Sequence, residues 1–129
     1  MFRSLLCAFL LCTTISFSET LPKKCFGQYA GEMSAYRVVK NNIEMHVDEH
    51  DVKITVLEDK LIYSSGNITV AGNYDFIKQG NGEYLLVANM SNGKSVNFRL
   101  EIVVNYKEET LFVHGKNGEP DLNLEKLGY

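Results

Sequence analysis

The chain has 129 residues, of which 13 are basic and 16 acidic, and its formal net charge is −3 at pH 7. This length indicates one domain. The absence of a Lys- or Arg-rich block excludes nucleic acid as a partner, and no Lys-rich amphipathic segment points to a membrane surface.

Residues 1–18 have the composition of a secretory signal peptide. Arg3 supplies a positive charge, residues 5–12 are mainly apolar, and Ser16 and Ser18 precede a cleavage site before Glu19. The apolar stretch is shorter than the roughly 20 residues of a spanning helix. We therefore expect a secreted or periplasmic protein that has no membrane anchor after cleavage.

The predicted mature domain, residues 19–129, keeps one cysteine, Cys25. A disulfide scaffold is excluded for a chain with a single cysteine. We expect Cys25 to be a small buried residue just before the first strand, with an intermolecular disulfide as the alternative.

Two-residue alternation of apolar and polar side chains dominates the mature domain, as in antiparallel strands with one dry face. Glycines at 27 and 31 in the first segment are typical of bends or bulges. The candidate strands, in chain order, are 27–39, 43–47, 52–56, 60–65, 68–76, 84–90, 94–106 and 109–115.

Turn residues separate these segments. Hairpin connections are predicted at 58–59, 65–67, 80–82, 91–93 and 107–109. None is long enough for a crossover helix, so consecutive strands should pair antiparallel. Closing the sheet removes its edges. The sequence therefore predicts an all-β protein, a single antiparallel up-and-down meander that closes into a small barrel of about eight strands. A β-sandwich is the alternative.

The segment His46-Val47-Asp48-Glu49-His50 matches the H-x-x-E-H zinc motif of inverted zincin peptidases. That motif requires a helix, whereas the alternation on both sides predicts strands, with residues 48–51 as a polar hairpin tip. In a strand, His46 and His50 would lie about 13 Å apart, at roughly 3.3 Å per residue. We predict no metal site and no cofactor, and keep His46, Asp48 and His50 as weak metal candidates.

The segment Phe26-Gly27-Gln28-Tyr29 resembles the G-x-W opening of lipocalins and fatty-acid-binding proteins, the calycin-type barrels. Tyr29 stands where those families have tryptophan, the T-D-Y motif is absent, and the C-terminal helix is missing or reduced to residues 121–129. The resemblance implies a lipocalin-like β-barrel domain over residues 19–129, in which the glycine and the aromatic ring close one end.

Two functions follow from these observations. The first is an exported, non-enzymatic binding protein that holds a small apolar ligand inside the barrel. The alternative is a secreted protein-interaction or inhibitor module with a filled core, which binds a protein partner through loops such as 48–51, 78–83 or 91–94.

The site residues expected from the sequence are all inward-facing side chains. No nucleophile, base and orienting group can be assembled, so no catalytic residue is predicted. Because the expected lining side chains are bulky, we expect them to fill the barrel, and a cavity of roughly 300 Å³ or more would instead favour the ligand. Asn67 and Asn89 stand in glycosylation sequons. The expected lining residues are Tyr29, Tyr74, Phe76, Tyr84, Leu86, Phe98, Leu100 and Ile102.

Overall fold

A computed structural model of the protein describes residues 20–116 and 118–127. The predicted signal peptide, residues 1–18, lies outside the described residues. A single turn of 3₁₀-helix, Lys23–Cys25, precedes the first strand. The strands are β1 (Gly27–Met33), β2 (Tyr36–Lys40), β3 (Ile43–Val47), β4 (His50–Val56), β5 (Lys60–Ser65), β6 (Ile68–Gly80), β7 (Glu83–Ser91), β8 (Asn97–Asn105), β9 (Thr110–Val113) and β10 (Leu122–Lys126).

Eight of the strands form one closed antiparallel barrel in the order β1-β10-β9-β8-β7-β6-β5-β4. From β4 to β10, each strand pairs with the next strand in the chain. The turns from β4 to β9 lie at the predicted positions. The all-β, up-and-down, closed-barrel prediction is confirmed, and the sheet is a barrel rather than a sandwich.

The remaining two strands, β2 and β3, form a hairpin of their own outside the barrel. Asn41 and Asn42 make its turn with φ of 53° and 64°, a left-handed conformation that asparagine tolerates. The barrel closes past this insertion, because β1 pairs directly with β4 from Gly27↔Val56 to Met33↔His50.

This insertion corrects two predictions. The single strand expected over 27–39 is two strands, β1 and β2, in different sheets. Residues 48–51 are not a hairpin tip, because β3 pairs with β2 while β4 pairs with β1 and β5. Asp48 and Glu49 instead connect the hairpin to the barrel.

The segment read as a reduced C-terminal helix is also a strand. In β10, Leu122 and Leu124 are buried while Asn123 and Glu125 are exposed, the alternation of a strand with one dry face. β10 pairs with both β9 and β1 and so joins the two ends of the meander. The last predicted strand is thus followed by one that closes the barrel.

The barrel interior is an apolar core. Within the described ranges no polar or charged residue is buried, and no buried side-chain nitrogen or oxygen lacks a hydrogen-bond partner. Gly72 faces this core at a place where a Cβ atom would lie 2.2 Å from the carbonyl oxygen of Asn89, so the position requires glycine. The fully buried side chains include Tyr29, Ile54, Leu61, Leu86, Met90, Ile102, Leu111 and Leu124.

One end of the barrel, here called the closed end, is covered by the segment before β1. Leu21 and Cys25 are buried there with the core. The Tyr29 hydroxyl donates a hydrogen bond of 2.8 Å to the carbonyl oxygen of Cys25. Burial raises the pKa of the Cys25 thiol to about 11. The prediction of a buried cysteine before the first strand is confirmed, and the glycine and aromatic ring of the opening segment do lie at one end of the barrel.

Candidate functional site

A cavity of about 410 Å³ opens at the other end of the barrel, here called the open end. Strands β1, β5, β7 and β9 end there, and β4, β6, β8 and β10 begin there, which follows from their antiparallel order. The volume is within the range of about 300–1,000 Å³ typical of ligand pockets. The expectation of a completely filled barrel is therefore wrong at this end.

The cavity wall is mainly apolar because the inward-facing residues at the ends of the strands are apolar. Successive strand residues point to opposite faces, so the set that is buried in the core continues outward to line the cavity. Met33 continues the inward set of β1, and Leu122 that of β10. The apolar lining residues are Met33, Tyr36, Tyr63, Ile68, Val96, Phe98, Leu100, Val113, Pro120 and Leu122.

Two of the lining rings meet across the barrel. Tyr63 and Phe98 have ring centroids 5.6 Å apart with an interplanar angle of 80°, an edge-to-face arrangement. They belong to β5 and β8, which are not neighbours in the sheet, so the contact spans the interior. Such pairs contribute about 0.5–1.5 kcal/mol beyond their buried area. This contact fixes two walls of the cavity relative to each other.

A loop between β9 and β10 forms one side of the rim. We call residues 114–116 and 118–121 the rim loop. The Asp121 carboxylate holds it: Oδ1 accepts a 2.8 Å hydrogen bond from the Gly115 amide and lies 3.3 Å from Nδ1 of His114. His114, Gly115, Lys116, Glu119 and Pro120 of this loop line the cavity. The two ends of the rim loop are therefore joined at the cavity entrance.

The rim also carries charged side chains from β8. β8 pairs with β9 only from Ile102↔Val113 onward, so residues 97–101 extend past the end of β9 beside the rim loop. Glu101 lies 3.3 Å from Lys116 and 3.5 Å from Arg99. Its hydrogen bond to Lys116 and the charges of both cations lower its pKa. The cavity thus combines an apolar interior with a charged rim of both signs.

Two tyrosines and a histidine complete the lining of the cavity. Tyr63 and Tyr36 both have raised pKa values, chiefly because of burial, and the Glu119 carboxylate adds to the shift of each. His50, at the start of β4, lines the cavity, and its Nδ1 lies 2.9 Å from the carbonyl oxygen of Asp48. These groups offer hydrogen-bonding atoms at the mouth of the cavity.

The structure brings only some of the expected lining residues together. Phe98 and Leu100 line the cavity. Leu86 and Ile102 are fully buried in the core. The other four aromatic residues of the set lie toward the closed end. Tyr29 bonds Cys25, the Tyr74 hydroxyl donates to the carbonyl oxygens of Leu57 and Glu58 in one shared hydrogen bond, and the rings of Phe76 and Tyr84 are 6.0 Å apart.

Several lining residues were not foreseen from the sequence. Met33, Tyr63, Val113 and Leu122 are inward-facing residues at the open end. Met33, Tyr63 and Val113 do lie in segments that the sequence predicts as strands, so alternation alone was a usable signal for them. What the sequence does not give is the end at which the barrel stays open.

The weak metal candidates are close in space but are not arranged as a site. His46 Nε2 lies 3.2 Å from Asp48 Oδ1 on the exposed hairpin side, while His50 lines the cavity. Among the residues that the structure describes, no group of three or more His, Cys, Asp or Glu side chains is placed to hold a metal ion. The H-x-x-E-H segment spans the end of β3 and the start of β4, not a helix.

The loops considered for protein binding lie at opposite ends. Residues 48–51 and 91–94 flank the open end, and residues 78–83 lie at the closed end, so the three do not form one surface. A second, shallow depression lies on the outer surface of β1, β4 and β5, formed mainly by polar and small residues. In the part of the chain described, no helix is long and apolar enough to cross a membrane.

Comparison of the chain with protein-family models, with curated proteins and with solved structures gave no significant match.

Proposed function

We propose that this protein is an exported, lipocalin-like binding protein that holds a small, mainly apolar ligand in the cavity at the open end of its barrel. The observation that carries the proposal is the cavity of about 410 Å³, whose interior is apolar and whose rim is polar. Burial of apolar ligand surface contributes about 25 cal/mol per Å², and a few polar groups at the mouth orient the molecule.

Two sequence features support the export and the lipocalin-like character that we propose. Residues 1–18 have the composition of a signal peptide, which is the basis for proposing export. The opening segment Gly27-Gln28-Tyr29 resembles that of calycin-type barrels, and its position at the closed end of an eight-stranded barrel is compatible with that likeness. The calycin relationship is part of the proposal.

Native mass spectrometry of the freshly purified mature protein, before and after extraction with organic solvent, tests this function. A bound small molecule that extraction removes is the expected result. Protein that carries no small molecule but copurifies with a stoichiometric protein partner would contradict it, and would favour an interaction module. Protein that is denatured, stripped of bound lipid and refolded serves as the ligand-free control.

A further inference from the structure

The hairpin of β2 and β3 has one apolar face and one polar face. Directly opposite residues of an antiparallel pair lie on the same side of the sheet. The register pairs Tyr36↔Val47, Val38↔Met45 and Lys40↔Ile43 therefore share one face, here called the apolar hairpin face. Lys40, next to the turn, is its one charged residue.

The opposite side of the hairpin is mainly polar. Arg37↔His46 and Val39↔Glu44 lie on it, and Arg37 Nη1 is 3.2 Å from Glu44 Oε1. Water solvates this polar face, so the face needs no other molecule to cover it. The apolar hairpin face has no such groups except Lys40, so it is the side that gains from contact with an apolar molecule.

The apolar hairpin face begins at the cavity. Tyr36 lines the cavity and packs against the core, and Val38 and Val47 beside it are half-buried. Farther out, Met45 is 49% exposed and Ile43 is 63% exposed. From Tyr36 to Lys40 the strip extends about 13 Å, at roughly 3.3 Å per residue. Apolar side chains therefore follow one another along this face from the cavity to the turn of the hairpin.

The rim loop abuts the base of the hairpin. A Cβ atom at Gly118 would lie 3.3 Å from the carbonyl oxygen of Arg37, and Glu119 is near enough to raise the pKa of Tyr36. Cavity, rim loop and hairpin are thus parts of one surface.

We propose that the apolar hairpin face extends the binding site, so that the ligand is a single-chain amphiphile with its apolar end in the cavity and the rest along Val38, Met45 and Ile43, toward Lys40. This inference depends on the proposed ligand-binding function. The small size of the exposed strip argues against a second copy of the chain as its occupant. Its exposed apolar residues are only Met45 and Ile43, whereas a stable protein interface takes about 20–30 residues from each partner.

A homologous series of straight-chain carboxylic acids, from octanoic to octadecanoic acid, tests the inference by calorimetric titration of the full mature protein. For the unchanged protein, we expect affinity to rise about fourfold per added methylene while each methylene is buried. An Ile43→Ser, Met45→Ser double variant should bind the shortest acids as well as the unchanged protein. With the longest acids it should lose at least about tenfold in affinity.

Val39→Ser is the matched control, because Val39 is 71% exposed on the opposite face of the same hairpin. It should follow the unchanged protein at every chain length. Equal affinities of the double variant and the unchanged protein for all acids would overturn the inference while leaving the cavity intact. An equal loss in Val39→Ser, or a dimer in light scattering that the double variant abolishes, would also overturn it. Failure of every acid to bind would refute the proposed function itself.

Discussion

The same valine-to-phenylalanine substitution can be made in the cavity and in the packed core, because the barrel has a valine in each. Its effects should distinguish open space from filled space. Val113 lines the cavity. Val104 is fully buried in the core, opposite Tyr84 on β7 and Leu111 on β9. A phenyl ring at position 113 would enter part of a space of about 410 Å³. The same ring at position 104 would meet side chains that are already close-packed.

The two variants should therefore differ in stability and in binding. Overpacking a filled core costs about 1–3 kcal/mol. For a domain of about 100 residues, each kcal/mol lowers Tm by roughly 4–8 °C. Val104→Phe should thus lower Tm by at least about 4 °C, whereas Val113→Phe should change stability by less than about 0.5 kcal/mol. Val113→Phe should instead weaken binding of decanoic acid by about tenfold or more, which is about 1.4 kcal/mol.

Thermal unfolding followed by circular dichroism gives the stabilities, and calorimetric titration gives the affinities. Equal losses of Tm in the two variants would show that position 113 is as tightly packed as position 104, and would refute the cavity. Unchanged affinity in Val113→Phe would show that the acid binds elsewhere.

Three further predictions concern the barrel that holds the cavity. Leu124→Ala should destabilise the fold by about 2–5 kcal/mol in urea unfolding, because Leu124 is fully buried on β10. Leu127→Ala, at an exposed position, should change stability by less than about 0.5 kcal/mol. Similar losses in the two variants would contradict the closure of the barrel by β10. Gly72→Ala should lower the free energy of unfolding by at least about 1 kcal/mol, because the new Cβ would clash with the Asn89 backbone. A Cβ at Gly80 meets no atom within 4 Å, so Gly80→Ala should unfold at nearly the same urea concentration as the unchanged protein. Burial, with smaller contributions from nearby acidic groups, raises the pKa of Tyr74 from 10.0 to about 12. The stability that this shift represents is present below pH 10.0 and is lost as pH rises through about 12. Tyr74→Phe should therefore lose stability less steeply than the unchanged protein over that pH range. If urea unfolding gives the same pH dependence of stability for both proteins, the shift is contradicted.

Alternation was enough to predict most of the barrel. Val52, Ile54 and Val56, and likewise Leu100, Ile102 and Val104, recur every second residue and are buried as expected. Asparagine- and glycine-bearing turns then set the antiparallel order. The local pattern and the global fold agree in these segments, so the sequence predicts them directly.

β10 and the hairpin insertion could not be predicted in the same way. Leu122 and Leu124 are only two alternating residues after a proline, and they form a strand because β9 and β1 offer pairing edges on both sides. In the same way, the local sequence of β1 and β2 predicts one strand over residues 27–39. Their separation follows from the pairing of β1 with the distant β4, which local alternation does not encode.

The location of the cavity depends on which end of the barrel is covered. The expected lining set favoured large aromatic rings, yet Tyr29, Phe76 and Tyr84 fill space toward the closed end, where Leu21 and Cys25 add cover from outside the strands. Open-end residues such as Val113 and Leu122 have the same inward alternation and no distinguishing side-chain chemistry. Only the closed barrel distinguishes the two ends.

The most direct test of the account is a methyl NMR titration of the mature protein with decanoic acid. We expect shifts at Met33, Leu100, Val113 and Leu122, which line the cavity, and none at Val56 or Leu111 in the core. Shifts that centre on those core methyl groups or on the outer surface of the barrel, or no shifts under conditions that saturate a micromolar site, would contradict it.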